Sequence, residues 1–134
     1  MPFLDLDATR AQLARFRAGW EAERHSHWAV EELATGRLVG RIGILRHHDW
    51  PLAPAVPEVG WSLDPAVWGS GLATEGGRAS IAVWREHLAD DARLLSITTP
   101  DNGAPRRVME KLGLTPRGEG DWRGYHMVWY ALDR

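Results

Sequence analysis

The segment from Val67 to Glu75, with the sequence VWGSGLATE, constrains the fold more than any other part of this chain. It follows a predicted strand, residues 58–64, and opens a predicted helix, residues 74–89. Two glycines let the backbone turn tightly and leave its N–H groups unpaired at the start of the helix. Because those amides and the positive end of the helix dipole converge there, the segment predicts an anion-binding site, and phosphate is the expected ligand.

Two well-known phosphate-binding patterns fit this loop poorly. The nucleotide-hydrolase loop requires Gly-Lys-Ser/Thr after its glycines, and the segment contains no lysine. The dinucleotide fingerprint requires a third glycine, at a position that Thr74 fills here, and an acidic residue on the next strand. The loop therefore predicts a phosphate-bearing ligand of another kind.

Composition narrows the class of protein. A chain of 134 residues that is 44% hydrophobic and 25% charged is long enough for a core, and we expect one globular domain spanning residues 1–134. A net charge of -2 gives no basic face for nucleic acid. No apolar run approaches the ~20 residues of a membrane span, and the N-terminus lacks the features of a signal peptide. We expect a cytoplasmic protein that contacts neither nucleic acid nor membrane.

Hydrophobic periodicity predicts the remaining elements. They are a helix over residues 9–23, a hairpin of strands around Trp28 and Leu38–Ile44, a proline-rich loop from His47 to Pro57, a strand over residues 93–99, a helix from Asn102 to Gly113, and a last hairpin that turns within residues 120–124. Strands alternate with helices in the middle and pair at the ends. This order predicts one mixed sheet flanked by helices, an α/β (α+β) fold.

Four residue types, glycine, tryptophan, cysteine and histidine, lead to specific interpretations. The adjacent Gly76 and Gly77, in the helix that follows the loop, predict close packing of one backbone on another; the alternative is a helix that is merely weak. The eight tryptophans are interpreted mostly as core or groove walls. The chain has no cysteine and its histidine pairs imply no third ligand, so we predict no metal site.

Two further motifs complete a pattern with the glycine loop. Glu58-Val59-Gly60-Trp61 precedes the loop, and the segment NGAPRRVMEKLGL, residues 102–114, follows it. In this order the motifs resemble the GNAT acetyltransferase superfamily, and within it the branch of ribosomal-protein N-terminal acetyltransferases. The resemblance covers roughly residues 28–132. It implies a mixed, largely antiparallel central sheet flanked by helices, and acetyl-CoA as co-substrate.

The chain departs from the family at its N-terminus. The family normally begins with a strand and a helix ahead of the helix predicted here at Thr9, and nothing in this sequence corresponds to them. Either the chain is a shortened member or an upstream segment is missing. Without that strand the hairpin at Trp28 has an unpaired edge, which predicts a homodimer through that edge or through exchanged terminal strands.

The resemblance assigns residues to acetyl-CoA. In the family, the glycine loop holds the pyrophosphate, and the pantetheine arm enters a gap between the strand before the loop and the next strand. Backbone amides near Trp61 to Leu63 would hold the arm and face the thioester carbonyl. Asn102 would contact the arm, or cap its helix, and Arg107 with Arg106 would reach the phosphates. The residues that match the loop, with Trp68 where the family often has Arg or Gln, are Trp68, Gly69, Ser70, Gly71, Leu72, Ala73 and Thr74.

Acetyl transfer to an amine requires that the amine lose its proton, which has a pKa of about 10.4 on lysine and about 7.7–8.0 on an α-amino group. Glu58 is the predicted base, directly or through water, because similar enzymes often use a carboxylate on this strand. The alternative is a solvated glutamate paired with an arginine. The family's usual acid positions hold Met109 and Pro105, which donate no proton. The thiolate therefore leaves unprotonated, or another group such as Tyr125 or Tyr130 serves, or catalysis is weak.

We predict an N-acetyltransferase that acts on a primary amine by direct attack in a ternary complex, because no residue pattern indicates an acyl-carrying nucleophile. The acceptor is a protein N-terminus or a small-molecule amine. Its groove is predicted between the first helices and the loop from His47 to Pro57, with Trp50 in its wall. The alternative is a non-catalytic coenzyme A-binding module of the same fold.

Overall fold

The computed structural model describes residues 5–52 and 55–134, and in them six strands form one sheet in the order β1-β2-β3-β4-β6-β5. The elements in chain order are α1 Leu6–Glu23, β1 His27–Glu31, β2 Leu38–Arg46, β3 Pro57–Leu63, α2 Leu72–His87, β4 Arg93–Thr98, α3 Gly103–Lys111, β5 Thr115–Trp122 and β6 Tyr125–Asp133. Strands β3 and β4 run parallel, and the other neighbouring pairs are antiparallel. The predicted mixed, largely antiparallel sheet flanked by helices is confirmed.

The parallel pair in the middle of the sheet separates almost at once. Strands β3 and β4 are in register only at Glu58 and Leu95, whereas β2 stays paired with β3 as far as Leu63. Side chains cross the junction: Ser96 Oγ donates to the Val59 carbonyl at 2.9 Å, and Ile97 N donates to Glu58 Oε2 at 3.0 Å. A gap therefore opens between the two strands immediately after Glu58.

The core consists of two clusters on the two faces of the sheet. Neighbouring residues Leu94 and Leu95 belong to different clusters, because successive side chains of a strand point to opposite faces. Trp84 of α2 fills the first cluster. Trp50 lies in the second, 1% exposed, so the prediction that it walls a groove is wrong. Its ring packs edge-on against Trp122 at 5.3 Å, because this face is covered by the loop after β2.

The glycine pair in α2 makes room for side chains. A Cβ on Gly76 would lie 2.7 Å from Ile42 Cδ1 of β2, and a Cβ on Gly77 would lie 2.5 Å from Leu112 Cδ1 at the end of α3. The predicted contact of backbone on backbone is therefore wrong. The glycines bring α2 close to both neighbours and so fix the position of its N-terminus beside the sheet.

Helix and hairpin ends depart from the sequence prediction by a few residues. Helix α1 begins earlier than Thr9, because Asp5 caps it by accepting from Ala8 N at 2.8 Å. The last hairpin turns at Arg123 and Gly124, whose φ angles are 52° and 82°, rather than across residues 120–124. A two-residue turn with both φ angles positive matches the twist of the strands it joins, and β5 extends to Trp122 as a result.

Candidate active site

The glycine loop ends in a helix start without a side-chain cap. Gly69 and Gly71 have φ angles of 78° and 87°, and Gly71 is the N-cap of α2. The first helical bond runs from Glu75 N to the Gly71 carbonyl at 3.0 Å. By helix geometry the amides between them, those of Leu72, Ala73 and Thr74, have no acceptor within the helix. The N-terminus of α2 thus presents the unpaired N–H groups that the sequence predicts, starting at residue 72 rather than 74.

Trp68 lies at the head of this loop and is 67% exposed. Its Nε1 donates to the Leu63 carbonyl at 2.9 Å, which ties the loop to the end of β3. Between them, Asp64 caps a short 3₁₀ turn, Pro65–Val67, by accepting from Ala66 N at 2.9 Å. These bonds hold the loop in position relative to the gap between β3 and β4.

The edge of β3 that faces the gap has no strand partner beyond Glu58 within residues 5–52 and 55–134. Trp61 and Leu63 lie on this part of β3, both half-buried. Their opposite edge is paired with Ile42 and Gly40 of β2. The free edge can therefore bind an extended guest through backbone hydrogen bonds, as an added strand does.

The start of α3 follows β4, the strand on the far side of the gap from β3. Asn102 occupies the N-cap position, but its exposed side chain makes no capping bond, so the capping role predicted as its alternative is not observed. Arg107 is exposed. Arg106 instead donates to the Pro100 carbonyl at 2.9 Å and to the Tyr130 hydroxyl at 3.3 Å. Of the two arginines, Arg107 is the one that extends into solvent.

Glu58 is held at the mouth of the gap by both of its carboxylate oxygens. Oε1 lies 2.6 Å from His47 Nε2, Oε2 accepts from Ile97 N, and the side chain is only 13% exposed. A carboxylate only accepts hydrogen bonds, so His47 Nε2 carries the shared proton. The alternative of a solvated glutamate paired with an arginine is therefore wrong. No sequence pattern places His47 beside Glu58, because a loop histidine reaches Glu58 only through the tertiary fold.

A second polar pair lies on the neighbouring strands. Arg41 NH1 lies 2.9 Å from His27 Nδ1, and the Phe16 ring of α1 stacks on His27 at 4.7 Å. Burial lowers the pKa of His27 to about 3, helped by the positive charges of Arg41 and His47. Arginine only donates, so Nδ1 accepts and the neutral ring holds its proton on Nε2. His27 is thus an uncharged residue of fixed tautomer.

Gly60 forms an open floor between these groups. A Cβ on Gly60 would lie 3.6 Å from Glu58 Oε1 and 3.7 Å from His27 Cε1. A cavity of about 320 Å³ lies where α1 meets the start of the loop after β2, the place predicted for an acceptor groove. Its lining includes Arg15, His47 and His48. The cavity meets the Glu58 carboxylate through His47, which lines the cavity and contacts Glu58 Oε1.

The sequence of this chain matches a known family. Residues 1–115 match the profile described as the acetyltransferase (GNAT) domain. The chain belongs to the GNAT acetyltransferase family. It is accordingly an acyltransferase, and acetyl-CoA is the acetyl donor that goes with this assignment.

Solved structures share the fold of this GNAT acetyltransferase. A GNAT-family protein from Bordetella pertussis superposes with a TM-score of 0.83 at 21% identity, over 96% of this chain and 77% of that one. A ribosomal-protein-S5-alanine acetyltransferase from Vibrio fischeri gives 0.76 at 15% identity, over 99% and 77%. The yncA protein of Salmonella typhimurium, whose structure contains its cofactor acetyl-CoA, gives 0.73 at 20% identity, over 98% and 75%. At these identities the likeness establishes the fold.

Burial and hydrogen bonds distinguish the candidate proton donors of this GNAT acetyltransferase. Met109 is 1% exposed in the core, and neither it nor Pro105 has a proton to donate. Tyr130 is 2% exposed, and its hydroxyl donates to Glu110 Oε1 at 3.3 Å while accepting from Arg106. Tyr125 is 40% exposed at the last hairpin. Tyr130 is therefore the tyrosine connected to α3 by hydrogen bonds.

Neither metal ligands nor a spanning helix are found in this GNAT acetyltransferase as far as the structure describes it. Residues 5–52 and 55–134 contain no group of three or more side chains placed to hold a metal ion. Over the same ranges, no helix is both long and apolar enough to cross a bilayer.

Replacing Gly60 by alanine tests whether its open floor receives the acceptor amine. The nearest atoms to the added methyl are at ordinary van der Waals distances, so we expect Gly60→Ala to fold normally. We expect kcat/KM for the amine to fall about 10- to 200-fold, the effect of one methyl-sized group in a fitted site. Thermal unfolding and acetyl-CoA affinity serve as controls and should not change. Wild-type kinetics in this variant would contradict binding of the acceptor amine over Gly60.

Proposed function

We propose that this protein transfers an acetyl group from acetyl-CoA to a primary amine by direct attack in a ternary complex, with Glu58 as the base. The position of Glu58 carries the proposal. Its carboxylate is largely buried, is fixed by His47 and Ile97, and lies where β3 and β4 separate. A fixed and desolvated carboxylate suits general base catalysis better than a mobile surface one.

Acetyl-CoA is proposed to bind along the gap and the glycine loop. The amides of Leu72, Ala73 and Thr74, with the loop residues Gly69, Ser70 and Gly71, would receive the pyrophosphate at the positive end of the α2 dipole. Backbone groups of Trp61 and Leu63 would bind the pantetheine arm as a strand-like guest. Trp68, Asn102 and Arg107 border the same path and would contact the cofactor from its two sides. The unpaired helix start and the free edge of β3 support this placement.

The proposed reaction needs no covalent enzyme intermediate. Glu58 accepts a proton from the ammonium form of the acceptor, directly or through water. The amine lone pair then forms a bond to the thioester carbon, and the oxyanion receives hydrogen bonds from amides near Trp61 to Leu63. The positively charged nitrogen of the tetrahedral intermediate loses its second proton to solvent, the carbon–sulfur bond breaks, and coenzyme A leaves as the thiolate. Tyr130 is our candidate for protonating it, because its hydroxyl lies in a hydrogen-bonded network beside α3.

The acceptor is proposed to be a protein N-terminus or a small-molecule amine, and the ribosomal-protein branch stays a proposal. We also propose a cytoplasmic location, and one catalytic domain spanning residues 1–134. Strand β1 forms an edge of the sheet, which is where a second copy of the chain would pair in a homodimer.

Calorimetric titration with acetyl-CoA tests the cofactor site, with desulfo-CoA and ADP as comparison ligands. We expect acetyl-CoA and desulfo-CoA to bind comparably and ADP more weakly, because ADP lacks the pantetheine arm. Failure of acetyl-CoA to bind would refute the placement in the gap.

Turnover distinguishes an enzyme from a non-catalytic coenzyme A-binding module. The module is favoured by Met109 and Pro105, because neither residue can donate a proton to the leaving thiolate. Release of the coenzyme A thiol over a panel of amines measures acetyl transfer, and the chain contributes no background because it has no cysteine. Binding without release for every amine would favour the module.

A further inference from the structure

Arg41 differs from the other half-buried arginines of the protein. The half-buried arginines among the described residues are Arg41, Arg46, Arg93 and Arg106. Arg46 is paired with Glu23 and Asp91, Arg93 with Asp133, and Arg106 donates to a carbonyl and a hydroxyl. Within residues 5–52 and 55–134, the only hydrogen bond of the Arg41 guanidinium goes to the ring of His27. Arg41 therefore has no oxygen partner among the described residues, and most of its N–H donors are available there.

The surroundings of Arg41 leave its positive charge uncompensated at close range. His27 stays neutral because burial lowers its pKa to about 3, and the other contact is the Phe16 ring, 5.0 Å from the guanidinium carbon. Burial also lowers the pKa of Arg41 itself, an effect opposed by the Glu58 carboxylate and reinforced by the charge of Arg15. No carboxylate of the described residues lies within 4.0 Å of it. A partly desolvated guanidinium of this kind is suited to binding an anion.

Arg41 and Glu58 lie on the same face of the sheet. Glu58, Gly60 and Ser62 are alternate residues of β3, so their side-chain positions share one face, and Arg41 is directly opposite Ser62 on β2. His27 is opposite Gly43, which in turn is opposite Gly60. The Gly60 floor therefore lies between the carboxylate at one end and the pair of His27 and Arg41 at the other.

We propose that the acceptor is a small amine that carries a carboxylate, as an α-amino acid does, with the carboxylate bound by Arg41 and the amine over Gly60 beside Glu58. This inference rests on the proposed function and names its substrate class. The two ends of such a molecule have opposite charges, which match the charges of Arg41 and Glu58. His27 has the role of a positioning residue, because its Nδ1 holds the Arg41 guanidinium while its ring stays uncharged.

Matched acceptor pairs test the proposal. L-amino acids and their α-carboxamides differ at the carboxylate, and each pair is assayed by coenzyme A release and by calorimetric titration into protein saturated with coenzyme A. We expect the free acids to be preferred by about 10- to 100-fold, the usual effect of charge-assisted hydrogen bonds. Arg41→Gln should abolish the preference, and Arg41→Lys should retain part of it. Arg17→Gln, which alters an exposed arginine of α1, is the control and should keep it.

The two assays keep this inference separable from the proposed function. Acetylation of amines without preference for the carboxylate, unchanged in Arg41→Gln, would overturn the inference and leave the acetyltransferase assignment intact. Arg41-dependent binding of the free acids without any acetyl transfer would support the carboxylate site and overturn the proposed reaction. Absence of both overturns both. If Arg41→Gln fails to fold in thermal unfolding, Arg41→Lys provides the decisive comparison.

Discussion

Glu58→Gln is expected to lower turnover of acetyl-CoA with a primary amine about 10²- to 10⁴-fold at neutral pH, the range that a general base contributes. The substitution removes the charge but keeps the shape. Glutamine can still accept from Ile97 N with its oxygen, and its NH₂ group can donate to His47 if that ring moves its proton to Nδ1. We therefore expect the variant to fold and to bind acetyl-CoA normally.

The pH dependence of the loss distinguishes a base from a structural residue. Above the pKa of the acceptor the amine is already neutral, so the deficit of Glu58→Gln should shrink as the pH rises. Steady-state rates between neutral and alkaline pH measure this directly. Glu86→Gln, which alters an exposed glutamate of α2, is the control and should match the wild type throughout. Equal rates for Glu58→Gln and wild type would exclude Glu58 as the base.

Gly43→Ala is expected to destabilise the fold by about 3 kcal/mol or more, because the clash is with backbone and no rotamer change relieves it. A Cβ at this position would lie 2.2 Å from the Ser26 carbonyl oxygen and 2.7 Å from His27 Cα. Strand β1 would have to move away from β2, and His27 would move with it. Urea unfolding monitored by tryptophan fluorescence measures the free energy of unfolding.

Gly60→Ala is the matched control for this prediction. Gly60 is directly opposite Gly43 in the register of β2 and β3, and the same methyl there meets nothing closer than 3.6 Å. The two variants should separate stability from catalysis: Gly43→Ala loses folding free energy, and Gly60→Ala loses acceptor turnover. An unfolding free energy for Gly43→Ala close to that of the wild type would refute the backbone clash.

The glycine loop and its helix could be predicted from the sequence because their signals are local. Gly69 and Gly71 adopt the positive φ angles that glycine allows, and the next helix begins at once. Gly113, with a φ angle of 89°, follows the end of α3 for the same reason. The backbone conformation of such turns is determined by residues a few positions apart and depends little on the rest of the chain.

The groups around Glu58 could not be predicted, since each pair joins distant segments. His47 reaches Glu58 from the loop after β2, and Arg41 meets His27 from the neighbouring strand. The sequence predicts Trp50 as a groove wall. That prediction is wrong because a large aromatic ring in a proline-rich loop is equally compatible with exposure and burial. Only the packing against Trp122 decides between the two.

The early separation of β3 and β4 also bears on how cooperatively the protein holds together. Two antiparallel half-sheets, β1-β2-β3 and β4-β6-β5, meet through one register position and the side chains that surround it. Both halves also contribute to one apolar cluster, which contains Val59 of β3 together with Leu94 of β4 and Tyr130 of β6. Each half can therefore open as a separate unit at a cost below that of global unfolding. A ligand that lies between them raises that cost, so occupancy of the gap and rigidity of the whole sheet are thermodynamically coupled.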